Sequence, residues 1–118
     1  MIVSFDFDAT LDMSHVQDYA KELVEKDVDV WIVTSRHHAD WYDVLDIAEK
    51  VGIPHRRIIF TNGRSKVNAL LDIKPIWHLD DDWVDLGRIN KTTKTVGISV
   101  FGNMSWKSKC NRIIKKNV

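Results

Sequence analysis

Short apolar runs alternate along the chain with segments in which apolar residues recur every three or four positions. The runs are typical of buried strands, and the spaced segments are typical of amphipathic helices. Five runs predict strands, at residues 2–5, 28–33, 57–60, 76–79 and 96–101. The spaced segments predict helices at residues 14–24, 41–51, 67–71 and 83–89, with a weaker helical pattern at 106–114.

This alternation of strands and helices predicts an α/β fold built on one parallel sheet. Right-handed crossovers between parallel strands make a doubly wound (Rossmann-like) sheet of about five strands, with helices on both faces, the expected topology. A chain of 118 residues suits a single domain. We expect its core at about residues 1–101 and a basic C-terminal extension at about 102–118. Ligands of such sheets bind beyond the carboxyl ends of the strands.

Several local signals support these elements. Ser14 and Gln17 have the spacing of a capping box, and Ser65 is placed to cap the third helix. Trp41 and Trp83 are expected to pack their helices against the sheet, with a place in the ligand cleft as the alternative.

Three predicted strands end in residues that carry chemistry. Asp6 and Asp8 follow the first strand, Thr34 and Ser35 follow the second, and three consecutive aspartates at residues 80–82 follow the fourth. In a parallel sheet these ends share one edge, so the carboxylates would crowd together unless a cation neutralised them. Oxygen ligands without a thiolate favour a hard ion such as Mg²⁺.

The first pair of aspartates can divide the work of phosphoryl transfer. Asp6 and Asp8 lie two residues apart, so both can border one site. One carboxylate can attack phosphorus, and a second can protonate the leaving oxygen and later activate water. Thr34 or Ser35 can donate a hydroxyl to a phosphate oxygen, and Lys66 near a helix start can add positive charge.

In sequence order, these residues resemble the four motifs of the haloacid dehalogenase (HAD) superfamily of phosphohydrolases. The segment 6–11, Asp-Phe-Asp-Ala-Thr-Leu, looks like the first motif, and Thr34, Lys66 and the pair Asp80-Asp81 fit the other three. The resemblance covers about residues 1–101. It departs from the usual pattern at Ala9, where most members carry glycine.

The resemblance implies a role for each matching residue. Asp6 would be the nucleophile and a Mg²⁺ ligand, and Asp8 would be the general acid and base, with its backbone carbonyl also on the metal. Thr34 and Lys66 would hold the phosphate, and Asp80 and Asp81 would complete the metal site, although Asp82 and Asp85 lie close enough in sequence to compete for that role.

The spacing of the motifs leaves no room for a cap domain, which many members of this superfamily insert. The resemblance therefore implies a Mg²⁺-dependent phosphatase with an open site, for which phosphoproteins, nucleic-acid ends and small phosphoesters such as nucleotides are candidate substrates. Arg36 follows the Thr34 turn and is a candidate for substrate contact, whereas His37 and His38 are expected to be exposed and His78 to be a satisfied core residue.

Charge is divided unevenly between the two parts of the chain. Residues 1–85 carry 17 acids and nine bases, a net charge of −8, while residues 86–118 carry eight bases and no acid. The basic stretch is interpreted as a solvated tail, or alternatively as a surface that follows phosphates, with Phe101 and Trp106 as stacking groups.

The composition bears on the cellular location of the protein. No apolar run is long enough to cross a membrane, and the N-terminal residues lack the pattern of a signal peptide. Cys110 is the only cysteine and has no partner for an internal disulfide, which favours a cytoplasmic location. The oligomeric state stays open.

Two other classes of function fit parts of the pattern. A binding or scaffold protein on a decayed phosphatase fold would explain Ala9 and the absent cap. A signalling receiver domain also uses acids, a threonine and a lysine, but it carries its phosphoacceptor at the end of the third strand, where this chain has Thr-Asn-Gly at residues 61–63.

Overall fold

Five parallel strands form the single sheet of this protein, which a computed structural model describes over all 118 residues. The strands are β1 (Ile2–Phe5), β2 (Asp29–Thr34), β3 (Ile58–Phe60), β4 (Trp77–Asp80) and β5 (Val96–Ser99). Their order is β3-β2-β1-β4-β5, with every neighbouring pair parallel. The predicted α/β class is confirmed. The first strand is central: β2 and β3 are added on one side of it, and β4 and β5 on the other.

Helices cover both faces of the sheet, as the doubly wound topology requires. They are α1 (Ser14–Glu25), α2 (Tyr42–Val51), α3 (Val67–Ile73), α4 (Trp83–Thr92) and α5 (Trp106–Lys116). Residues of α1, α2 and α5 belong to the larger core cluster, and residues of α3 and α4 form a smaller one around Val33. No cap domain interrupts this series. None of the helices is both long enough and apolar enough to span a bilayer.

The C-terminal helix is anchored in the core. Trp106 and Cys110 are buried, and the Trp106 ring packs edge-on against Tyr19 at 5.4 Å between centroids. The Tyr19 hydroxyl also donates a hydrogen bond of 2.5 Å to Asn111 Oδ1. The basic extension therefore contains a docked helix, and Trp106 is not available to stack on a ligand.

The predictions made for the starts of the helices differ from the structure in detail. Ser65 Oγ accepts a hydrogen bond from the backbone N–H of Val67 at 3.3 Å, but Lys66, not Ser65, directly precedes α3, so the predicted capping position is one residue off. Ser14 does not cap α1, because the helix begins at Ser14 itself and Met13 precedes it in an extended conformation. Trp41 and Trp83 do not pack on the sheet; they are 50% and 74% exposed. Trp41 directly precedes α2 and Trp83 is the first residue of α4, so both lie at helix ends.

Candidate metal centre

The carboxyl ends of the strands meet around a small acidic cavity. Its volume is about 140 Å³, and its lining consists of Ala9, Ser35, Lys66 and six aspartates: Asp6, Asp8, Asp80, Asp81, Asp82 and Asp85. Backbone pairing sets this arrangement, because the Asp6 N–H donates to the carbonyl of Leu79 at 2.8 Å. That bond continues the β1–β4 pairing and brings the end of the first strand beside the Asp80 segment.

Three of the aspartates form a group with the geometry of a metal site. One carboxylate oxygen from each of Asp6, Asp80 and Asp81 lies within 4.8 Å of the others. Asp6 and Asp80 are buried, and Asp81 is half-buried. The donors are all carboxylate oxygens, so a hard divalent cation such as Mg²⁺ fits the group. Asp8 contributes no carboxylate to it, and the expected contact through its backbone carbonyl stays a prediction.

Lys66 is the cation that the structure places among these acids. Its side chain is only 3% exposed, and Nζ donates to Asp6 Oδ1 at 2.9 Å and to Asp80 Oδ2 at 2.6 Å. Asp85 Oδ2 lies 3.8 Å away. Burial alone would lower the pKa of Lys66, but the two contacting carboxylates raise it above its usual value. Lys66 is therefore charged and holds two of the three candidate ligands in place.

Behind Asp80 lies a buried chain of polar side chains. His78 Nε2 is 2.8 Å from Asp80 Oδ2, and His78 Nδ1 is 2.8 Å from the Ser4 hydroxyl. Burial lowers the pKa of His78, so the ring is neutral. A neutral ring that donates to Asp80 from Nε2 accepts the Ser4 hydroxyl at Nδ1, and both ring nitrogens are then satisfied. This confirms His78 as a satisfied core residue and adds a role, because it fixes the orientation of Asp80.

The acids of the cluster differ strongly in proton affinity. Burial, together with the negative charge of Asp80, raises the pKa of Asp6 from 3.8 to about 8 despite the contact with Lys66. Burial also raises the pKa of Asp81. Although burial acts on Asp80 in the same direction, hydrogen bonds from His78 and the charge of Lys66 hold its pKa well below the usual range. Without a metal, the cluster therefore keeps Asp80 ionised and a proton on Asp6 at neutral pH.

Asp8 faces a different partner. Arg36 Nε donates to Asp8 Oδ2 at 2.9 Å and Nη2 donates to Asp8 Oδ1 at 2.8 Å, so the pair is bidentate. The same guanidinium donates to Asp43 Oδ1 at 2.6 Å and stacks over the Phe7 ring at 4.9 Å. Arg36, the predicted substrate contact, is thus held at the cavity by two carboxylates and an aromatic ring.

The turn that joins β1 to α1, which contains Asp6 and Asp8, is strained at one residue. Ala9 has φ 55° and ψ 20°, which is the left-handed region that favours glycine. Phe7 is buried in the core, whereas the side chain of Asp8 is 52% exposed, so the two aspartates border the cavity while the residue between them points inward. The turn therefore needs a positive φ at the position where this chain carries alanine in place of the usual glycine.

The remaining predicted site residues lie at or beside the cavity. Ser35 lines it, whereas Thr34 is fully buried at the end of β2 and its hydroxyl accepts the Arg36 N–H at 3.2 Å. Asp82 caps α4 by accepting hydrogen bonds from the backbone N–H groups of Val84 and Asp85. The capping role accounts for the third consecutive aspartate. The phosphate-binding roles of Thr34, Ser35 and Lys66 stay predictions.

Two contacts at the site were missed by reasoning from the sequence. The His78–Asp80 contact had a signal, since residues two apart on a strand share a face. The Arg36–Asp43 contact had none, because it depends on how the segment 36–41 turns after β2. The sequence matches no protein-family model, and no curated protein matches it significantly.

Proposed function

We propose that this protein is a Mg²⁺-dependent phosphatase that acts through an aspartyl-phosphate on Asp6, as the resemblance to the HAD superfamily implies. The observation that carries the proposal is the group of Asp6, Asp80 and Asp81, whose carboxylates converge at the carboxyl edge of a parallel sheet beside a buried lysine. Phosphoryl transfer needs positioning and neutralisation of charge more than any other catalytic device, and the cavity concentrates groups suited to both.

In the proposed reaction, a carboxylate oxygen of Asp6 attacks phosphorus, and the bond from phosphorus to the leaving oxygen breaks. Asp8 gives its proton to that oxygen, then takes one from the water that hydrolyses the aspartyl-phosphate and restores Asp6. A bound Mg²⁺ would supply the positive charge that keeps Asp6 ionised and offsets the charge of the phosphoryl oxygens. Asp6, Asp80 and Asp81 would hold it.

Lys66 and Arg36 are suited to hold the phosphate. Lys66 Nζ lies 2.9 Å from the proposed nucleophilic carboxylate, so an attached phosphoryl group would be within its reach. Arg36 binds Asp8 through two donors in the absence of substrate. Asp8 must leave this pair before it can carry a proton, and Asp43 then keeps the guanidinium at the cavity, where phosphate oxygens can replace the Asp8 carboxylate.

The absence of a cap domain bears on the substrate class. With only α1 and β2 between Asp8 and Thr34, nothing encloses the cavity. A large phosphorylated substrate, such as a nucleic-acid end, is accommodated at an open site as readily as a nucleotide.

The proposal is tested with p-nitrophenyl phosphate as substrate. We expect hydrolysis to require Mg²⁺ and to be lost in Asp6→Asn, which keeps the shape of the side chain and removes the nucleophile. Asp72→Asn, at an exposed position of α3, is the matched control and should retain activity. Activity in Asp6→Asn, or equal activity in excess EDTA, would refute the mechanism.

A scaffold protein on an inactive phosphatase fold is the second candidate. The strained Ala9 and the capture of Asp8 by Arg36 favour it. It predicts Mg²⁺ binding without hydrolysis of any phosphate ester, in wild type and in Ala9→Gly alike.

A further inference from the structure

A groove lined by cations lies between the edge strand β5 and the C-terminal helix. It has a volume of about 400 Å³, and its charged lining residues are Lys109, Arg112 and Lys116, with no acid among them. None of the three forms an ion pair, although Lys107 on the same helix pairs with Glu22. All three are exposed on a helix that Trp106 and Cys110 fix in the core. The groove therefore presents three free positive charges on a rigid support.

The end of this groove at Ser99 lies beside the acidic cavity. Ser99 lines the groove and pairs in register with Asp80 of the candidate metal centre. Neighbouring strands lie about 4.8 Å apart, so the groove begins one strand away from the metal ligands and runs from there down β5 and α5. Two residues beyond Ser99, the Phe101 side chain is 71% exposed.

We propose that this groove binds a single-stranded nucleic acid and leads its phosphorylated end to the Asp6 site, an inference that rests on the phosphatase function proposed above. Proteins that bind single strands combine a basic groove that follows the backbone with aromatic side chains on which bases stack. Lys109, Arg112 and Lys116 supply the first feature, and Phe101, which is exposed two residues beyond Ser99 although it does not line the groove, supplies the second.

The hydrogen bonds along β5 argue against an acidic peptide as the occupant. An extended peptide would bind by adding a strand to this edge of the sheet. The edge groups of Gly97 are already used, because its N–H donates to Asn90 Oδ1 at 2.8 Å and its carbonyl accepts from Asn90 Nδ2 at 3.4 Å. The Ser99 carbonyl likewise accepts from Asn103 Nδ2 at 2.9 Å. The groove thus offers charge and little free backbone.

Binding of a 12-nucleotide, fluorescein-labelled, unphosphorylated single strand tests the proposal by fluorescence anisotropy in EDTA. We expect K109Q/R112Q/K116Q to weaken binding at least tenfold. The slope of log affinity against log salt concentration should become less negative by about 2, since each lost phosphate contact removes about 0.7 from it. The matched control is K74Q/K91Q/K94Q, which removes three exposed, unpaired lysines from a different surface, at the amino ends of β4 and β5. It should change affinity less than twofold.

The outcomes separate this surface from the catalytic proposal. Equal losses in the two triple variants, no binding by wild type at 50 mM salt, or equally tight binding of polyglutamate would overturn the groove assignment. Oligonucleotide binding without any phosphatase activity would support the groove and refute the catalytic proposal. Hydrolysis of p-nitrophenyl phosphate by a protein that does not bind the oligonucleotide would do the reverse.

Discussion

Removal of the Lys66 charge should lower the free energy of unfolding, and a divalent cation bound by the acidic cluster should restore much of the loss. In Lys66→Met, a side chain of similar length fills the same space without a charge. The position is 3% exposed, and its ammonium contacts Asp6 at 2.9 Å and Asp80 at 2.6 Å. Two buried carboxyl groups would lose their cation, and Asp80 would keep only the neutral His78 and the backbone N–H of Asp82 as donors.

The expected cost follows from this burial. Breaking a buried ion pair by removing one partner destabilises a protein by about 3–5 kcal/mol. In the metal-free protein Asp6 already carries a proton at neutral pH, because its pKa is raised to about 8, so the cost falls mainly on Asp80 and lies at the lower end of this range. We therefore expect a loss of about 3 kcal/mol in the free energy of unfolding. That loss would lower the midpoint of urea denaturation by about 1–3 M at ordinary denaturant slopes.

Mg²⁺ should restore much of this loss, because the variant leaves the carboxylates free for the metal. A ligand present at 100 times its dissociation constant stabilises the folded state by about 2.7 kcal/mol. Urea denaturation of wild type and Lys66→Met, each in EDTA and in Mg²⁺, measures both effects. Lys21→Met, at an exposed position of α1, is the matched control and should change stability by less than about 0.5 kcal/mol under either condition.

The reasoning is refuted by either of two results. If Lys66→Met is as stable as wild type in EDTA, the lysine does not neutralise a buried cluster. If Mg²⁺ does not stabilise the variant, the carboxylates that Lys66 contacts do not bind the metal.

Three further predictions concern other parts of the structure. Ala9→Gly should raise the free energy of unfolding by about 1 kcal/mol, because Ala9 adopts φ 55°; a thermal melt with no gain would contradict this strain. Because the pKa of Asp6 is raised from 3.8 to about 8, the metal-free protein should lose stability as the pH rises through that interval. The affinity for Mg²⁺ should increase about tenfold per pH unit until Asp6 is ionised. Calorimetric titrations with Mg²⁺ at pH 6, 7 and 8.5 measure this affinity, and an affinity that does not change with pH would exclude Asp6 as a ligand. Cys110 is fully buried and burial raises the pKa of its thiol, so its labelling by a thiol reagent should be slow and should accelerate only when α5 detaches or the protein unfolds; labelling as fast as that of an unfolded control would show that α5 is not docked.

The α/β class and the site edge could be predicted because both follow from pattern alone. The runs at residues 2–5 and 76–79 are largely buried, as in a parallel sheet covered on both faces, and the acids come directly after them. Once the strands are parallel, Asp6 and Asp80 lie at the same edge, and the β1–β4 pairing makes them neighbours.

Loop geometry set the limit of prediction. Trp41 directly precedes α2 and Trp83 is the first residue of α4, so the spacing of apolar residues included both, although both side chains are exposed at the helix ends. The left-handed Ala9 and the salt bridge from Arg36 to Asp43 depend on backbone angles that no periodicity encodes. The docking of α5 was underestimated for another reason, since only Trp106 and Cys110 are buried on a helix that is otherwise polar.

The two charged regions of the chain acquire a spatial relation that the sequence does not contain. Asp80, at the end of β4, lines the acidic cavity, and Ser99, at the end of β5, lines the basic groove. The two residues are partners in the β4–β5 pairing. An anionic chain drawn to Lys109, Arg112 and Lys116 would be repelled by the cavity unless a cation occupied it, because six aspartates line that cavity against one lysine. Binding of a phosphorylated end should therefore depend on Mg²⁺ more steeply than binding of the groove-bound segment behind it. A phosphorylated oligonucleotide whose affinity for Asp8→Asn, which keeps all three carboxylates of the metal group, rises no more with Mg²⁺ than that of its unphosphorylated counterpart would show that the two regions act independently.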